Sequence, residues 1–314
     1  MVGLLQKPAR VSVRARATVL STTSWVLFAT SGPVAKTVMA AGWSPAAVTS
    51  ARIGLAAAIL IPVVAVMRPQ ALRFRRAELG LLFGYGLLGV AGVQLLFFVA
   101  ISRVPVGVAM VLVNLAPALV ALWVRLVRRT RLPGLVWLGI GLAVAGLVLV
   151  AEIWHGVRLD LIGLAAGLAA AVCSAGYFLI GERGANRHDS FGLTAGGLAI
   201  GAVAVIVVAP PWLPGSGMLD VSAGIGGLHA PVWLILVLLA ALGTALPYLA
   251  GLRALRDLPP ALASVLSLVE PLVAAGLAWV LLGQALGPLQ LVGAAALLAG
   301  AVVVQLAAPQ SGAT

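Results

Sequence analysis

The sequence predicts an all-α integral membrane protein, with ten transmembrane helices arranged as two inverted five-helix repeats. Three observations indicate this fold class: an apolar composition, ten separate apolar segments, and a likeness between the two halves of the chain. Apolar residues make up 62% of the 314 residues, and charged residues make up only 9%. A soluble domain of this size needs more charged side chains to cover its surface. Lipid is therefore the expected solvent of the outer surface.

Each predicted helix is an apolar run long enough to cross the hydrocarbon core of a membrane, which takes about 20 residues at a rise of about 1.5 Å per residue. The connections between the runs are short, except for residues 210–230, which are rich in Gly and Pro and too polar to span. We expect that segment to form an external loop. In chain order, the predicted spans are residues 17–39, 45–67, 77–100, 105–127, 133–153, 161–181, 190–209, 231–252, 260–282 and 288–306.

Basic residues decide the orientation, because Lys and Arg near membrane crossings stay on the cytoplasmic side. When both termini are cytoplasmic, the outer loops hold only Arg103 and Arg158 among the 20 Lys and Arg residues. The alternative for the first span is a signal peptide cleaved near residues 38–42. A retained helix is favoured, because the run is longer than a signal core and has a counterpart later in the chain.

The two halves of the chain are alike, since residues 88–150 align without a gap with residues 242–304. Five spans are an odd number, so the second half enters the membrane from the opposite side. Inverted repeats of this kind can open a central cavity alternately to each side of the membrane. Matched positions include Gly89 with Gly243, Pro117 with Pro271, Gly139 with Gly293, and Gly146 with Gly300. The predicted organisation is a basic cytoplasmic tail (1–16), the first repeat (17–153), a linker (154–160), the second repeat (161–306) and a C-terminal tail (307–314).

Two stretches carry a family resemblance: "FFVAISRVPVGVAMVLVNLAPALVAL" and "AGLRALRDLPPALASVLSLVEPLVAAGLAWVLLGQAL". They resemble the third-to-fourth and eighth-to-ninth span signatures of EamA-type transporters, in the drug/metabolite transporter superfamily. The resemblance extends over essentially the whole chain. It implies a ten-helix bundle that exports small metabolites, often amino acids, from the bacterial cytoplasm. "LGVAGVQLLFFVAISRVPVGVAM" is most similar to the threonine and homoserine exporter branch.

The chain departs from the family pattern at two helix ends. Gln284 stands where the family usually has Glu, and "LVRRTRL" lacks the acidic end that usually follows the fourth span. Such positions lie at helix ends, so we expect these changes to alter a surface contact rather than the substrate route.

Charged residues inside the spans are the first candidates for function, since an uncompensated charge at hydrocarbon depth is costly. Glu270 lies about 15 Å into its predicted helix, near the midplane, and Arg52 lies about 10 Å from the outer end of its helix. Lys36 is close enough to the outer end to extend to the headgroups. Glu270 either meets substrate or protons, or forms a structural pair with Arg52.

Proline residues mark two predicted breaks in the helices. Pro117 and Pro271 each remove an amide donor and leave backbone carbonyls exposed near mid-membrane, with Asn114 one turn before Pro117. The alternative is that both prolines only kink the helices for packing. Weaker candidates for the substrate path are polar residues that could equally form interhelical hydrogen bonds, namely Gln94, Tyr248, Ser31 and Tyr177.

The inverted repeats predict a secondary transporter that works by alternating access. The resemblance implies that it lies in the bacterial inner membrane and exports small metabolites, such as threonine-like or homoserine-like amino acids. A multidrug or amphipathic-compound exporter is the alternative, and a channel, a sensor or a membrane-embedded enzyme is less favoured. An enzyme needs a nucleophile with a base, or clustered metal ligands. Here His155, His188 and His229 lie in or beside loops, and the sole cysteine, Cys173, lies in an apolar run. Metal ions and cofactors are therefore not predicted.

The predicted partners are the lipid bilayer and a small-molecule metabolite. Nucleic acid is not predicted, because the basic residues form small groups without a basic face or an aromatic ladder. The chain has no Gly-x-x-x-x-Gly-Lys motif, so active transport needs an ion gradient or a partner. Proton coupling and the formation of a homodimer are left open.

Overall fold

Helices make up most of the structure, a computed structural model that describes residues 7–101, 103–104, 106–151, 160–211, 218–225, 228–282 and 287–307. A 3₁₀ turn, Pro69–Leu72, follows the second helix. The helices in chain order are α1 (Lys7–Ala40), α2 (Pro45–Met67), α3 (Arg76–Gly84), α4 (Val93–Ile101), α5 (Val106–Val113), α6 (Ala116–Leu126), α7 (Gly134–Ala151), α8 (Leu161–Arg187), α9 (Ser190–Val208), α10 (Val232–Ala240), α11 (Leu246–Ala254), α12 (Pro260–Leu266), α13 (Val269–Leu282) and α14 (Pro288–Ala307).

Long apolar helices support the predicted class of all-α membrane protein. Among the described residues, five helical stretches are long and apolar enough to cross a membrane: Ala46–Met67, Arg76–Phe97, Leu161–Arg187, Ser190–Val208 and Val232–Ala254. Shorter apolar helical stretches are Val111–Leu126, Gly134–Leu149, Pro260–Ala274 and Pro288–Val304.

Two helices extend beyond the predicted spans. α1 begins at Lys7, so residues 7–16 of the predicted basic tail are helical and continuous with the first span. α8 continues to Arg187, and Asp189 then caps α9 by accepting from the amide of Phe191 at 2.8 Å. Residues 1–6, 154–159 and 308–314 of the predicted tails and linker, and also Gln284, lie outside the described residues.

Two predicted spans are interrupted near their middle. The span predicted at 105–127 consists of α5 and α6, which are separated by a turn at Asn114 and Leu115. The span predicted at 260–282 consists of α12 and α13, which are separated by a turn at Ser267 and Leu268. The two turns lie at nearly equivalent positions of the repeat.

A β hairpin lies within the segment predicted as an external loop. Strand β1 (Ser222–Ile225) pairs with β2 (Leu228–Pro231) in antiparallel register. Ala223 of β1 joins a buried cluster with Val38 and Trp43, at the end of α1 and the turn that follows it. The loop therefore has local structure and packs over one end of the helical bundle.

Helices α7 and α14 pack closely against each other where glycines of one helix face glycines of the other. A Cβ atom on Gly139 would lie 2.8 Å from the carbonyl oxygen of Gly300, and one on Gly146 would lie 2.5 Å from that of Gly293. Gly139 and Gly293 are equivalent in the aligned halves, as are Gly146 and Gly300. The contact of Gly139 with Gly300 and the contact of Gly146 with Gly293 therefore join the same two positions of the repeat. In the second contact the helices that supply them are exchanged, as at a two-fold axis. The two equivalent helices run antiparallel where they cross.

Candidate functional site

A chain of hydrogen bonds connects four helical segments in the interior of the bundle. The guanidinium of Arg52, on α2, donates to Oε1 of Gln94, on α4. Nε2 of Gln94 donates to the hydroxyl of Tyr248, on α11, at 3.3 Å. That hydroxyl donates in turn to the carbonyl oxygen of Gly89 at 3.1 Å. All three side chains are buried, so the polar network is removed from lipid.

Two π-helical segments, Tyr85–Gly92 and Ala241–Ala245, position this network. Within the first, the amide of Val93 donates to Leu88, so the carbonyl of Gly89 loses its usual α-helical donor. That carbonyl is then free to accept from Tyr248. The two segments lie at equivalent places in the two halves, just before Gln94 and Tyr248. Segments of this kind inside helices occur frequently at functional sites.

Aromatic side chains pack beside the network. The rings of Tyr177 and Tyr248 lie 5.8 Å apart between centroids in an edge-to-face arrangement, and Phe28 meets Tyr248 at 5.1 Å. Trp25 and Tyr85 also contact Tyr177. The hydroxyls of Tyr85 and Tyr177 are buried without a hydrogen-bond partner among the described residues. The interior therefore combines aromatic walls with polar groups.

Glu270 lies in the first turn of α13, directly after the turn that interrupts the ninth predicted span. Its amide donates to Ser267 at 3.0 Å, and its side chain is partly buried. The carboxylate is close enough to interact electrostatically with Arg52 and with Tyr248. Among the ion pairs formed by the described residues, none joins Glu270 directly to Arg52. The guanidinium is bound to Gln94 instead.

The proline positions coincide with a change in backbone bonding. Leu115 donates to Leu112 and Leu268 donates to Val265, each at 3.1 Å and each to the residue three before it. Pro117 and Pro271 are both buried in the first turn of the helix that follows. The hydroxyl of Ser267 bonds to the carbonyl of Ser264 at 2.6 Å. The side chain of Ser267 thus supplies a hydrogen-bond donor to the carbonyl of Ser264 at the turn between α12 and α13.

The other predicted site residues lie apart from the hydrogen-bonded chain. Ser31 is buried and donates to Phe28 in its own helix at 2.6 Å, beside Gly243. Asn114 is buried at the turn between α5 and α6. The backbone of Lys36 lies in α1. The structure thus brings together Arg52, Gln94, Tyr248 and Tyr177, with Glu270 nearby.

A cavity of about 380 Å³ opens at the end of the bundle that carries most of the basic residues. It lies between the aligned halves. Its lining residues come from α6, α7 and the connection between them, and from α8, α12, α14 and the α11–α12 connection. Arg128 and Glu182 both line it and form an ion pair with each other. We call this cavity the vestibule.

An ion pair also joins the two halves at the opposite end of the bundle, where Arg103 lies 3.5 Å from Asp160. The amide of Gly163 donates to Asp160 at 2.8 Å, and this bond, assisted by the charge of Arg103, holds the pKa of that carboxyl below its ordinary value. Asp160 is therefore ionised at neutral pH, and it caps the start of α8.

Sequence reasoning missed three features of the site: the π-helical segments, the aromatic residues Trp25, Phe28 and Tyr85, and the ion pair of Arg128 with Glu182. The residues of that pair stand 54 positions apart in the sequence. Little in the sequence indicated that these aromatic residues meet, because only 6% of the residues are aromatic and they are scattered among apolar runs.

Comparison with known proteins assigns the chain to a family. The model of the EamA-like transporter family matches residues 16–151 and again residues 161–306. This chain belongs to the EamA-like transporter family. The resemblance in its third-to-fourth and eighth-to-ninth spans is thereby confirmed.

Relatives of this EamA-like transporter include curated exporters. The threonine/homoserine exporter RhtA of Escherichia coli (strain K12) is 34% identical over 258 residues, which cover 81% of this chain and 80% of that protein. The protein of the same name from Salmonella typhimurium (strain SL1344) is 33% identical over the same length. A protein of known crystal structure has a TM-score of 0.77, covering 95% of this chain and 99% of its own, at 21% identity. That likeness concerns the fold alone.

Proposed function

We propose that this EamA-like transporter exports small amino acids of the threonine and homoserine type from the cytoplasm across the bacterial inner membrane. The observation that carries the proposal is the 34% identity with the threonine/homoserine exporter of Escherichia coli over 81% of this chain. The protein acts as a secondary transporter by alternating access and not as an enzyme. Its substrate partner is a free metabolite, and its surroundings are the lipid bilayer.

The architecture proposed for this function has ten spans in two inverted five-helix repeats, residues 17–153 and 161–306, with both termini cytoplasmic. The reciprocal glycine contacts of α7 with α14 support it, because equivalent helices of the two repeats run in opposite directions there. The two π-helical segments at equivalent places support it as well. Rocking of two such repeats about a shared site is the usual mechanism of alternating access.

The interior polar groups match a zwitterion. Arg52 supplies a cation for the carboxylate of the amino acid, and Glu270 supplies an anion for its ammonium group or a site for a proton. Gln94 holds Arg52, and Tyr248 binds Gln94 in turn, so both add hydrogen-bonding groups beside the substrate. Pro117 and Pro271 interrupt their helices at this depth, which permits backbone carbonyls to line a polar path. We place the transport site among these residues.

The aromatic side chains favour a second candidate function, the export of larger amphipathic compounds. Tyr177, Trp25 and Phe28 provide flat apolar surfaces beside the charged groups, as in aromatic sites that bind organic cations. The charge balance of Arg52 with Glu270 favours the amino acid, since a cation would meet repulsion from Arg52.

The test is transport by the purified protein in liposomes. Homoserine, threonine and a cationic dye are each offered with and without a pH gradient. Saturable transport of homoserine that exceeds transport of the dye supports the proposal, and acceleration by an inward proton gradient supports proton coupling. Dye transport in the absence of homoserine transport would favour the second candidate.

A further inference from the structure

The ion pair of Arg128 with Glu182 is a direct charged link between the two halves at the vestibule. Arg128 lies two residues after the last residue of α6, and Glu182 lies in α8. Nη1 of Arg128 lies 3.2 Å from one carboxylate oxygen of Glu182, and Nη2 contacts the other oxygen. The side chains are 29% and 19% exposed, so the pair is partly shielded from water. Two-pronged pairs of this geometry are among the stronger charged contacts.

The backbone holds Arg128 in place. The next residue, Arg129, has a φ of 54°, a left-handed conformation that ends α6. The amide of Thr130 then donates back to Val124 at 3.2 Å, which closes the end of the helix. Glu182 is fixed by the rigid α8, which continues to Arg187. Arg128 is therefore presented by a hydrogen-bonded turn directly after α6, and Glu182 is presented by α8.

The vestibule leads towards the proposed transport site. Its inner wall includes Val124 on α6 and Leu262 on α12, two helices that contact each other. From Leu262, α12 runs about 8 Å to the turn at Ser267, beyond which lies Glu270. Buried apolar side chains separate the vestibule from that turn: Val120, Ala121, Val265 and Leu266. The path is thus a charged entrance followed by an apolar constriction.

The volume and charges of the vestibule suit a small zwitterion. A volume of about 380 Å³ lies at the lower end of the range for ligand sites, which is about 300–1,000 Å³. The lining carries Arg128 and Arg256 together with Glu182 and Asp257, so charges of both signs are present. Asp257 is already paired with Arg253 at 2.8 Å, in an exposed contact at its rim. Arg128 and Glu182 are the deeper pair.

We propose that the vestibule is a cytoplasmic loading site for zwitterionic amino acids, in which the substrate carboxylate binds Arg128 and the substrate ammonium binds Glu182. This inference rests on the proposed function, since it requires an amino acid as substrate. Loading replaces one ion pair between the halves with two ion pairs to the substrate. The direct charged link between the halves at the vestibule is then broken. An uncharged solute cannot make this exchange, so the pair also selects for zwitterions.

The experiment measures homoserine transport in proteoliposomes in which the orientation of the protein is known. Arg128→Gln and Glu182→Gln are each expected to raise the half-saturating homoserine concentration at the cytoplasmic face at least tenfold. The maximal rate and the half-saturating concentration at the outer face are expected to stay within twofold of wild type. A merely structural ion pair would not produce an effect confined to one face. Arg68→Gln is the matched control, since Arg68 pairs with Asp189 at 3.0 Å and neither residue lines the vestibule, and its cytoplasmic half-saturation should not change.

Glu182→Asp provides a second variant if Glu182→Gln does not fold. Aspartate keeps the charge, but its shorter side chain places the carboxylate farther from Arg128. We therefore expect an intermediate rise in the half-saturating homoserine concentration at the cytoplasmic face. Wild-type transport of homoserine with an unchanged cytoplasmic half-saturation in the Arg128 and Glu182 variants would overturn the loading site alone. Failure of the wild-type protein to transport any amino acid would instead contradict the proposed function.

Discussion

Gln94 and Tyr248 occupy equivalent positions in the two halves of the chain, and the amide Nε2 of the first donates to the hydroxyl of the second at 3.3 Å. Two equivalent residues meet only where the axis that relates the halves passes between them. The same place thus holds an amide from one half and a phenol from the other. The amide oxygen accepts from Arg52, whereas the phenol accepts from Gln94 and donates to Gly89, so a symmetric framework carries an asymmetric site.

The first prediction concerns the hydroxyl of Tyr248. Tyr248→Phe removes one bond to Gly89 and one to Gln94, and we expect it to lower the free energy of unfolding by about 1 kcal/mol. Tyr85→Phe is the control, because its hydroxyl has no partner among the described residues and its removal should leave stability unchanged or raised. Thermal unfolding of both variants in detergent measures the difference. Equal losses in the two variants would contradict the hydrogen-bonded chain.

The second prediction concerns Glu270. Glu270→Gln keeps the size of the side chain but cannot ionise, so the protein should insert and fold normally while losing gradient-driven export of homoserine. Asp220→Asn removes an exposed carboxylate and should retain export. Transport is measured in liposomes with and without a pH gradient. Wild-type rates and an unchanged response to pH in Glu270→Gln would exclude a coupling role.

The third prediction concerns the crossing of α7 and α14. A Cβ on Gly146 would lie 2.5 Å from backbone atoms of Gly293 and Leu297, so Gly146→Ala should destabilise the protein by about 1–3 kcal/mol through overpacking. Gly141 lies in the same helix with no atom within 4 Å of such a Cβ. Gly141→Ala should therefore be neutral or stabilise by about 0.5–1 kcal/mol. Unfolding midpoints compare the two variants, and a harmless Gly146→Ala would mean that these helices do not pack closely.

The fourth prediction concerns orientation. In a Cys173→Ala background, a cysteine introduced by Ser222→Cys should react with an impermeant thiol reagent added outside intact cells. Gln70→Cys should react only after the cells are opened. Both positions are exposed, on the β hairpin and on the turn after α2 respectively. The reverse pattern would invert the proposed topology.

The positions of most helices could be predicted from the amino-acid sequence alone. Apolar runs of about 20 residues marked the helices, since backbone groups in lipid must be bonded within a helix. The phrases around Pro117 and Pro271 indicated interruptions, because proline lacks the amide that would continue the helix. The hairpin at Ser222–Pro231 was not foreseen, because its composition indicated only a polar loop.

The sequence by itself determined the membrane class, the family and the alignment of the two halves, because these depend on composition and on spacing along the chain. Only the tertiary structure decided which side chains meet. Arg52 binds Gln94 rather than Glu270, and Arg128 binds Glu182 at the vestibule. The physical reason is that a helix in lipid is apolar on the face towards its neighbours and on the face towards the membrane alike, so its pattern does not specify its rotation. That rotation is set by close packing of glycine and by the shift in register at the π-helical segments, which place Gln94 and Tyr248 in contact.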